Sequence, residues 1–480
     1  MNLAAEVFRK RYPGTALICG DERVRYDELA ASVARAAGAL RVKPGGRVLF
    51  VMRDTPEFAA AWLGAVHAGA VAIALNSKLT QADYRHILAD SGAQAALVDA
   101  AFPAAHEVLA PINIGLSAWR ERVANASPIA AFDVPPEAPA IWLYSSGTTG
   151  RPKGIEHEHR AALSIGEAFR TLGLAQGDRV FTTSKFFFAY GLEHGLLAPL
   201  AMGITSVLSA DWPDAEAVSS IVERERPHAI FSVPTIYRRL LAQPKLDAFR
   251  AVRYFVAGGE RPSPQLVEQW RSATGGELLN LYGMSEAFCA CIMTPPGTSD
   301  GVRTGKPFAI AQIRLLDGND REPAPGEPGV LWLRHPAQAR RYANLREETA
   351  AQFRDGWFCS RDLFLRDAQG FYVHQGRSDE LVKVAGQWVW PAELEETALG
   401  DPAVTEAACV PLPDGDGLQR LALFVTGRDD AANAASRACE GLPQHKRPKW
   451  IRAIAELPRT ATGKVQRYKL RELLERELGR

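Results

Sequence analysis

Between residues 20 and 100 the apolar residues recur alternately at the helical period and in short unbroken runs, and this alternation constrains the fold most. Asp27 stands where it can cap a helix whose Leu29, Val33, Ala36 and Leu40 share one face, and Arg47–Met52 follows as a buried strand. Thr55-Pro56-Glu57 starts a second helix, with Phe58, Trp62 and Val66 as its apolar stripe and Gly69 as its stop. Ala70–Leu75 reads as the next strand. Thr80 caps a third helix that turns Tyr84, Ile87 and Leu88 inward, and Ala95–Val98 is again a strand. The rhythm returns in Val180–Thr183, Thr205–Leu208, Ala229–Val233 and Tyr254–Ala257. Strands alternating with helices of this length imply parallel sheets covered on both faces.

After about residue 300 short strand-like runs separate Gly-, Pro- and Asp-rich turns, as in Gly326-Glu327-Pro328-Gly329-Val330-Leu331-Trp332-Leu333, which marks a β-rich subdomain. From near Gly376-Arg377-Ser378-Asp379 a last segment combines a helix at Pro391–Leu399, strands at Ala407–Val410 and Leu421–Val425, and a basic C-terminal helix. That set suits a small α+β domain. With 480 residues the chain can build two or more sizeable cores. The expected fold class is α/β: a large N-terminal domain of stacked α/β sheets with a β-rich subdomain over residues 1–377, and a small α+β domain over 378–480. A formal net charge of +1 gives no field that would attract nucleic acid or an anionic membrane. Six cysteines without a CxxC pair fit reduced thiols, the first residues lack a secretory pattern, and no apolar run suits a bilayer span. A soluble, cytoplasmic protein is the expectation.

The chemistry gathers in Ile141–Arg160. A strand-like run, Ile141-Trp142-Leu143-Tyr144, opens into Ser145-Ser146-Gly147-Thr148-Thr149-Gly150-Arg151-Pro152-Lys153-Gly154. Glycines let successive backbone N–H groups converge, and hydroxyls with a lysine complete a cradle for phosphate oxygens. The GxxxxGK[ST] spacing is absent, so this is no Walker loop. A bare Gly/Ser/Thr loop is more often a plain connection between strand and helix. This order of residues, however, resembles the phosphate loop of the acyl-adenylate-forming (AMP-binding) superfamily of acyl-CoA ligases, adenylation domains and luciferases.

The resemblance extends along the chain. Ala257-Gly258-Gly259-Glu260 and Leu281-Tyr282-Gly283-Met284-Ser285-Glu286 look like the adenine loop and the segment that follows it. The resemblance implies a purine against Tyr282, a phosphate contact from Ser285 (threonine in most relatives), and Mg²⁺ held by Glu286. Trp357–Asp362 resembles the segment whose aspartate, here Asp362, holds the ribose hydroxyls, with Arg377 as a nearby cation. Leu457–Arg467 matches the C-terminal lysine loop, so Lys464 would stabilise charge during adenylation; Thr148 and Glu286 share the catalytic assignment. Asp379 stands at the family's hinge. The implied C-terminal domain is mobile, exchanging Lys464 for the Lys383–Gly386 loop between half-reactions. Gly386 would admit a pantetheine arm, and the basic His445, Lys446, Arg447 and Lys449 could meet CoA phosphates, although such a run is more often a solvated face. ATP, Mg²⁺ and coenzyme A are the implied cofactors.

Thr183–Gly195 bears on the acid. Amino-acid-activating relatives place an aspartate where Ala189 stands, and SKFFFAYGL is similar to the benzoate-CoA ligase branch. Phe188, Ala189, Tyr190 and Gly191 suggest a flat slot for a ring, while a buried aromatic core strand is a plausible rival reading for Phe186 and one more of the three phenylalanines. Ala287, Cys289 and Ala290 are small where benzoate ligases carry bulk, so the slot should admit a ring substituent, with His194 as a candidate polar partner. His157 and His159 read as a satisfied loop pair rather than metal ligands. The resemblance thus implies an aryl acid:CoA ligase. The rivals are an adenylating enzyme that loads a separate carrier protein, an alkanoate or arylalkanoate ligase, and a nucleotide-binding regulator that has lost the reaction. Monomer and homodimer are both open.

Overall fold

The computed structural model describes residues 1–146, 151–244, 246–288, 290–459 and 465–479; the side chains of Ser146 and Trp388 also lie outside the description. It divides into two compact units. One comprises Met1–Arg314, Trp332–Cys359 and Gln369–Tyr372, the other Leu315–Leu331, Ser360–Ala368 and Val373–Arg480.

The larger unit carries two sheets. In the first, the strands run Arg341–Tyr342, Pro152–Glu158, Pro139–Ser146, Val71–Ala74, Arg47–Val51 and Ala95–Val98, parallel from Pro139–Ser146 onward. The second orders nine strands as Lys306–Pro307, Ala290–Met293, Leu278–Gly283, Tyr254–Gly258, Ala229–Ser232, Arg179–Thr182, Thr205–Leu208, Thr15–Cys19 and Glu22–Arg25. Its middle is parallel and only its margins are antiparallel. This is the expected architecture, and the expected strands recur within a residue or two.

Local sequence sets the helices. Thr55 Oγ1 accepts from Phe58 N at 3.3 Å and Pro56 opens the helix Pro56–His67, while Thr80 and Asp83 form a capping box on Gln81–Ser91. The first of the expected helices departs from expectation. It runs Tyr26–Ala39 with Arg25 at the cap position, because Glu28 reaches back to the Arg25 N–H at 2.9 Å; Asp27 lies inside the first turn. Trp62 and Phe58 are fully buried, each contributing about 2–3 kcal/mol by leaving water. Gly64 lets this helix approach its neighbour, since a Cβ there would stand 2.7 Å from Ala36 Cβ.

Gln312–Leu316, Gly329–Arg334, Phe353–Arg354, Trp357–Arg366 and Tyr372–Arg377 form a five-stranded sheet in the region of Gly- and Pro-rich turns. The smaller unit holds a hairpin, Val382–Val384 with Gln387–Val389, turned by Ala385 and Gly386 at φ +49° and +84°. It also holds a three-stranded sheet, in which Gln419–Gly427 pairs antiparallel with Val404–Pro413 and parallel with Trp450–Ala453. Helices Pro391–Leu399, Ala431–Cys439 and Arg467–Glu477 complete it. Among the described residues, no helix is long and apolar enough to cross a membrane.

Candidate active site

Open parallel sheets bind ligands beyond the carboxyl ends of their strands. Leu278–Gly283, Tyr254–Gly258, Ala229–Ser232 and Arg179–Thr182 are adjacent and parallel, with Gly258 level with Leu281 and Ser232 level with Ala257. Their ends deliver three of the segments singled out by sequence: Ala257–Glu260, Tyr282–Glu286 and Thr183–Gly195. Gly259 turns at φ +84° and Glu260 is exposed. Gly258 meets the aromatic segment directly, because a Cβ there would stand 2.7 and 2.8 Å from Tyr190 Cε2 and Cζ. The Tyr190 hydroxyl lies 3.3 Å from the Ser232 carbonyl and 3.2 Å from that of Val256.

The phosphate-loop stretch joins two antiparallel strands, Pro139–Ser146 and Pro152–Glu158, so it is a hairpin connection and not the strand-to-helix passage of a plain loop. Gly147, Thr148, Thr149 and Gly150 lie outside the described residues. Ser145 pairs across the hairpin with Lys153. Lys153 is half-buried, with Nζ 5.7 Å from the Tyr342 ring centroid.

Three contacts fasten the Ser285–Glu286 turn to the strands Pro152–Glu158 and Arg341–Tyr342 and to the segment that leads into the latter. The Tyr342 hydroxyl donates to Glu286 Oε1 at 2.8 Å, and Ala339 N donates to the Glu286 carbonyl at 2.6 Å. His157 lies with Nε2 2.8 Å from the Ser285 carbonyl and Nδ1 3.0 Å from that of Ala337. Burial holds the His157 pKa down at about 4, so the neutral ring donates to one carbonyl at a time. His157 and His159 are buried in a strand end and the 3₁₀ turn that follows, not in a loop as expected. Next to Glu286 the backbone is strained: Phe288, fully buried, sits at φ +64°. Tyr342 is a site residue that sequence reasoning missed, and its distance of 56 residues from Glu286 left no local signal.

The aromatic segment is a turn followed by a helix, Ala189–Leu192, rather than a core strand. Phe186 is nevertheless buried, 5.5 Å from the Phe58 ring. Lys185, also buried, explains the turn. Its Nζ is 3.1 Å from Asp54 Oδ2 and donates to the carbonyls of Ser209, Ala210 and Asp211 at 2.7, 3.0 and 3.2 Å. Burial lifts the Asp54 pKa to about 6 against the pull of Lys185. Phe187 and Phe188 lie against each other and near Trp212, which carries the Lys78 ammonium at 4.3 Å. Gly191 does not open a gap as expected: a Cβ there would meet the Lys185 and Ser184 carbonyl oxygens at 2.3 and 2.5 Å, so its smallness serves the turn. Ala189, Ala287 and Ala290 are buried, and Cys289 lies outside the described residues.

In the smaller unit Asp362 is 13% exposed, 3.6 Å from His374 Nε2 and 3.7 Å from Arg377 Nη1. Arg377 is forked onto Asp379 at 2.8 and 2.9 Å. Burial pushes the Asp379 carboxyl up, but Arg377 outweighs it and holds the pKa below the usual range. Lys383 and Gly386 are exposed. The basic run is partly engaged: Lys446 Nζ binds Glu393 at 2.8 Å, Lys449 Nζ binds Asp414 at 3.1 Å, and Arg447 Nε donates to the Leu442 carbonyl. Lys464 lies outside the described residues.

The pattern of AMP-binding enzymes matches residues 5–343, and that of the AMP-binding enzyme C-terminal domain matches 393–464. The chain belongs to the AMP-binding enzyme family. It is 37% identical to a 3-hydroxybenzoate–CoA ligase of Aromatoleum sp. (strain CIB), over 96% of this chain and 93% of that one. A 3-hydroxybenzoate–CoA/4-hydroxybenzoate–CoA ligase of Thauera aromatica is 38% identical, over 97% and 94%. Among solved structures, a benzoate CoA ligase from Burkholderia xenovorans LB400 superposes with a TM-score of 0.91 at 34% identity, covering 98% of this chain and 100% of that one.

Proposed function

We propose that this protein is an ATP- and Mg²⁺-dependent aryl acid:CoA ligase acting on benzoate or a substituted benzoate. One observation carries the reading: Gly258, at the end of the nucleotide strand, lies flush against Tyr190 in the aromatic segment. An acid in that segment would hold its carboxylate beside the α-phosphate of an ATP seated on Gly258, Gly259, Glu260, Tyr282, Gly283 and Ser285. Sequence similarity to benzoate and hydroxybenzoate ligases over nearly the whole chain supports the choice of acid.

Glu286 fits Mg²⁺. No group of three or more His, Cys, Asp or Glu side chains among the described residues could hold a metal, and Mg²⁺ is commonly bound by one carboxylate plus substrate phosphates. Held there, the ion would offset the triphosphate charge. In the first half-reaction a substrate carboxylate oxygen attacks the α-phosphorus, the bond to the β-phosphate bridging oxygen breaks, and pyrophosphate leaves. Ser145, Ser146, Gly147, Thr148, Thr149, Gly150 and Lys153 cradle phosphate, Asp362 and Arg377 bind the ribose side, and Lys464 stabilises the developing charge. In the second, the CoA thiol loses its proton and attacks the acyl carbon, and AMP departs with the former carboxylate oxygen. Phe188, Ala189, Tyr190, His194, Ala287, Cys289 and Ala290 line the acid site. The division at residue 377, the hinge at Asp379, the Lys383–Gly386 path for pantetheine, CoA-phosphate contacts from Lys446 and Arg447, and a cytoplasmic location belong to the same reading. Cys19, Cys409 and Cys439 as unbridged thiols support that location.

The test is product analysis by mass spectrometry with ATP, Mg²⁺, CoA and pooled benzoates, arylalkanoates and short fatty acids. Aroyl-CoA with AMP is expected. Acyl-AMP without thioester would transfer the reading to a carrier-protein acceptor, and acyl-CoA from chain acids alone would overturn the aryl assignment. Lys464→Ala should lose adenylation by about 100- to 1,000-fold while ATP still binds; unchanged adenylation would remove Lys464 from its role.

A further inference from the structure

His194 is 2% exposed and follows Tyr190 by one helical turn. Its ring stacks on Phe231 at 4.8 Å and 24° and lies 4.9 Å from the Tyr190 ring. Nδ1 is 2.9 Å from the Tyr190 carbonyl. A carbonyl only accepts, so Nδ1 carries the hydrogen and Nε2 presents a lone pair. Burial holds the His194 pKa down at about 4, which keeps that lone pair free of a proton at neutral pH.

Among the described residues no group donates to Nε2. The Nε2 atoms of His159 and His335 are also unpartnered but wholly enclosed, whereas that of His194 is not. An open nitrogen on a residue this buried faces an internal space. The geometry gives that space a direction. Tyr190 abuts Gly258 on the nucleotide side, and the His194 ring lies 4.9 Å from the Tyr190 ring, in the π-helical turn that follows.

We propose that His194 Nε2 accepts a hydrogen bond from a ring hydroxyl or amino group, making this ligase selective for hydroxy- or aminobenzoates. The proposal rests on the aryl acid:CoA ligase reading and specifies its substrate. A methoxy or halogen substituent at the same position brings lone pairs against a lone pair, and unsubstituted benzoate leaves Nε2 dry and unpaired. The neighbouring Phe169 and Phe231 rings carry no hydrogen-bonding atom and the Tyr190 hydroxyl is engaged with the Ser232 and Val256 carbonyls, so discrimination falls on this one atom.

The test compares kcat/KM for 3- and 4-hydroxybenzoate, 3- and 4-aminobenzoate, benzoate, and the fluoro and methoxy analogues, in wild type, His194→Gln and His194→Phe. Wild type should favour the best hydroxy or amino acid over its methoxy analogue and over benzoate by about 10- to 100-fold. His194→Phe should abolish that ratio. His194→Gln, which keeps an acceptor oxygen, should retain part of it and serves if the phenylalanine variant does not fold. A structural role alone would lower all acids together and leave the ratio unmoved. A benzoate preference in wild type, or a donor preference that survives in both variants, overturns the proposal while the ligase reading stands. Absence of any aroyl thioester or adenylate overturns both.

Discussion

Glu193 should make the fold less stable as pH rises toward neutrality. Its carboxyl is buried: Oε1 accepts from Gly166 N at 2.9 Å, and Oε2 finds no partner among the described residues. Burial, only partly offset by the Gly166 N–H and the Arg170 guanidinium and reinforced by the Glu167 carboxylate, lifts its pKa from 4.5 to about 7. The folded state therefore keeps a proton that the unfolded chain releases between those values. Stability from this group is full below pH 4.5, falls as pH rises, and is lost above about 7. The loss amounts to about 3 kcal/mol. Glu193→Gln keeps the acceptor for Gly166 and cannot ionise, so it should be close to neutral in acid and stabilising at pH 8. The assay is thermal or denaturant unfolding of both proteins from pH 5 to 8.5, reading the difference between them, so that other titrations cancel. Parallel curves across that range would refute the burial argument.

Three further outcomes follow from the contacts. Lys185→Met leaves Asp54 buried without its cation and should cost about 3–5 kcal/mol, with Asp54→Asn restoring part of it in the double variant; additive losses in unfolding would contradict the pairing. Tyr342→Phe removes the hydroxyl from Glu286 and should weaken the metal site about 10-fold, measured by Mn²⁺ paramagnetic resonance with ATP as well as by Mg²⁺ titration; unchanged Mn²⁺ affinity would limit Tyr342 to packing. Gly258→Ala drives a methyl against a Tyr190 ring whose hydroxyl is held by two carbonyls, costing about 1–3 kcal/mol. It should raise KM for the acid more than for ATP, and equal changes would argue against a shared wall.

What was legible in the sequence is what local physics decides. Thr55 and Thr80 lie next to the N–H groups they cap, and alternating periods report which residues leave water, so elements and α/β class could be read directly. The helix near Asp27 misled because Glu28 was the better partner for the Arg25 N–H. The pairing of Thr15–Cys19 with Thr205–Leu208, the anchoring of Glu286 by Tyr342, and the Lys185–Asp54 pair depend on residues 56 and more apart, and no pattern within a window of the chain reports them. Gly191 shows the converse error, since composition marked it small and only the fold shows that the space is filled by backbone oxygen.

Oxygen tracing tests the central claim most directly. With benzoate or 3-hydroxybenzoate carrying ¹⁸O in its carboxylate, ATP, Mg²⁺ and CoA, an acyl-adenylate route transfers one labelled oxygen to AMP and leaves one in the thioester. Mass spectrometry should find singly labelled AMP in step with aroyl-CoA and unlabelled pyrophosphate. Unlabelled AMP, or label in a released phosphate, would contradict it.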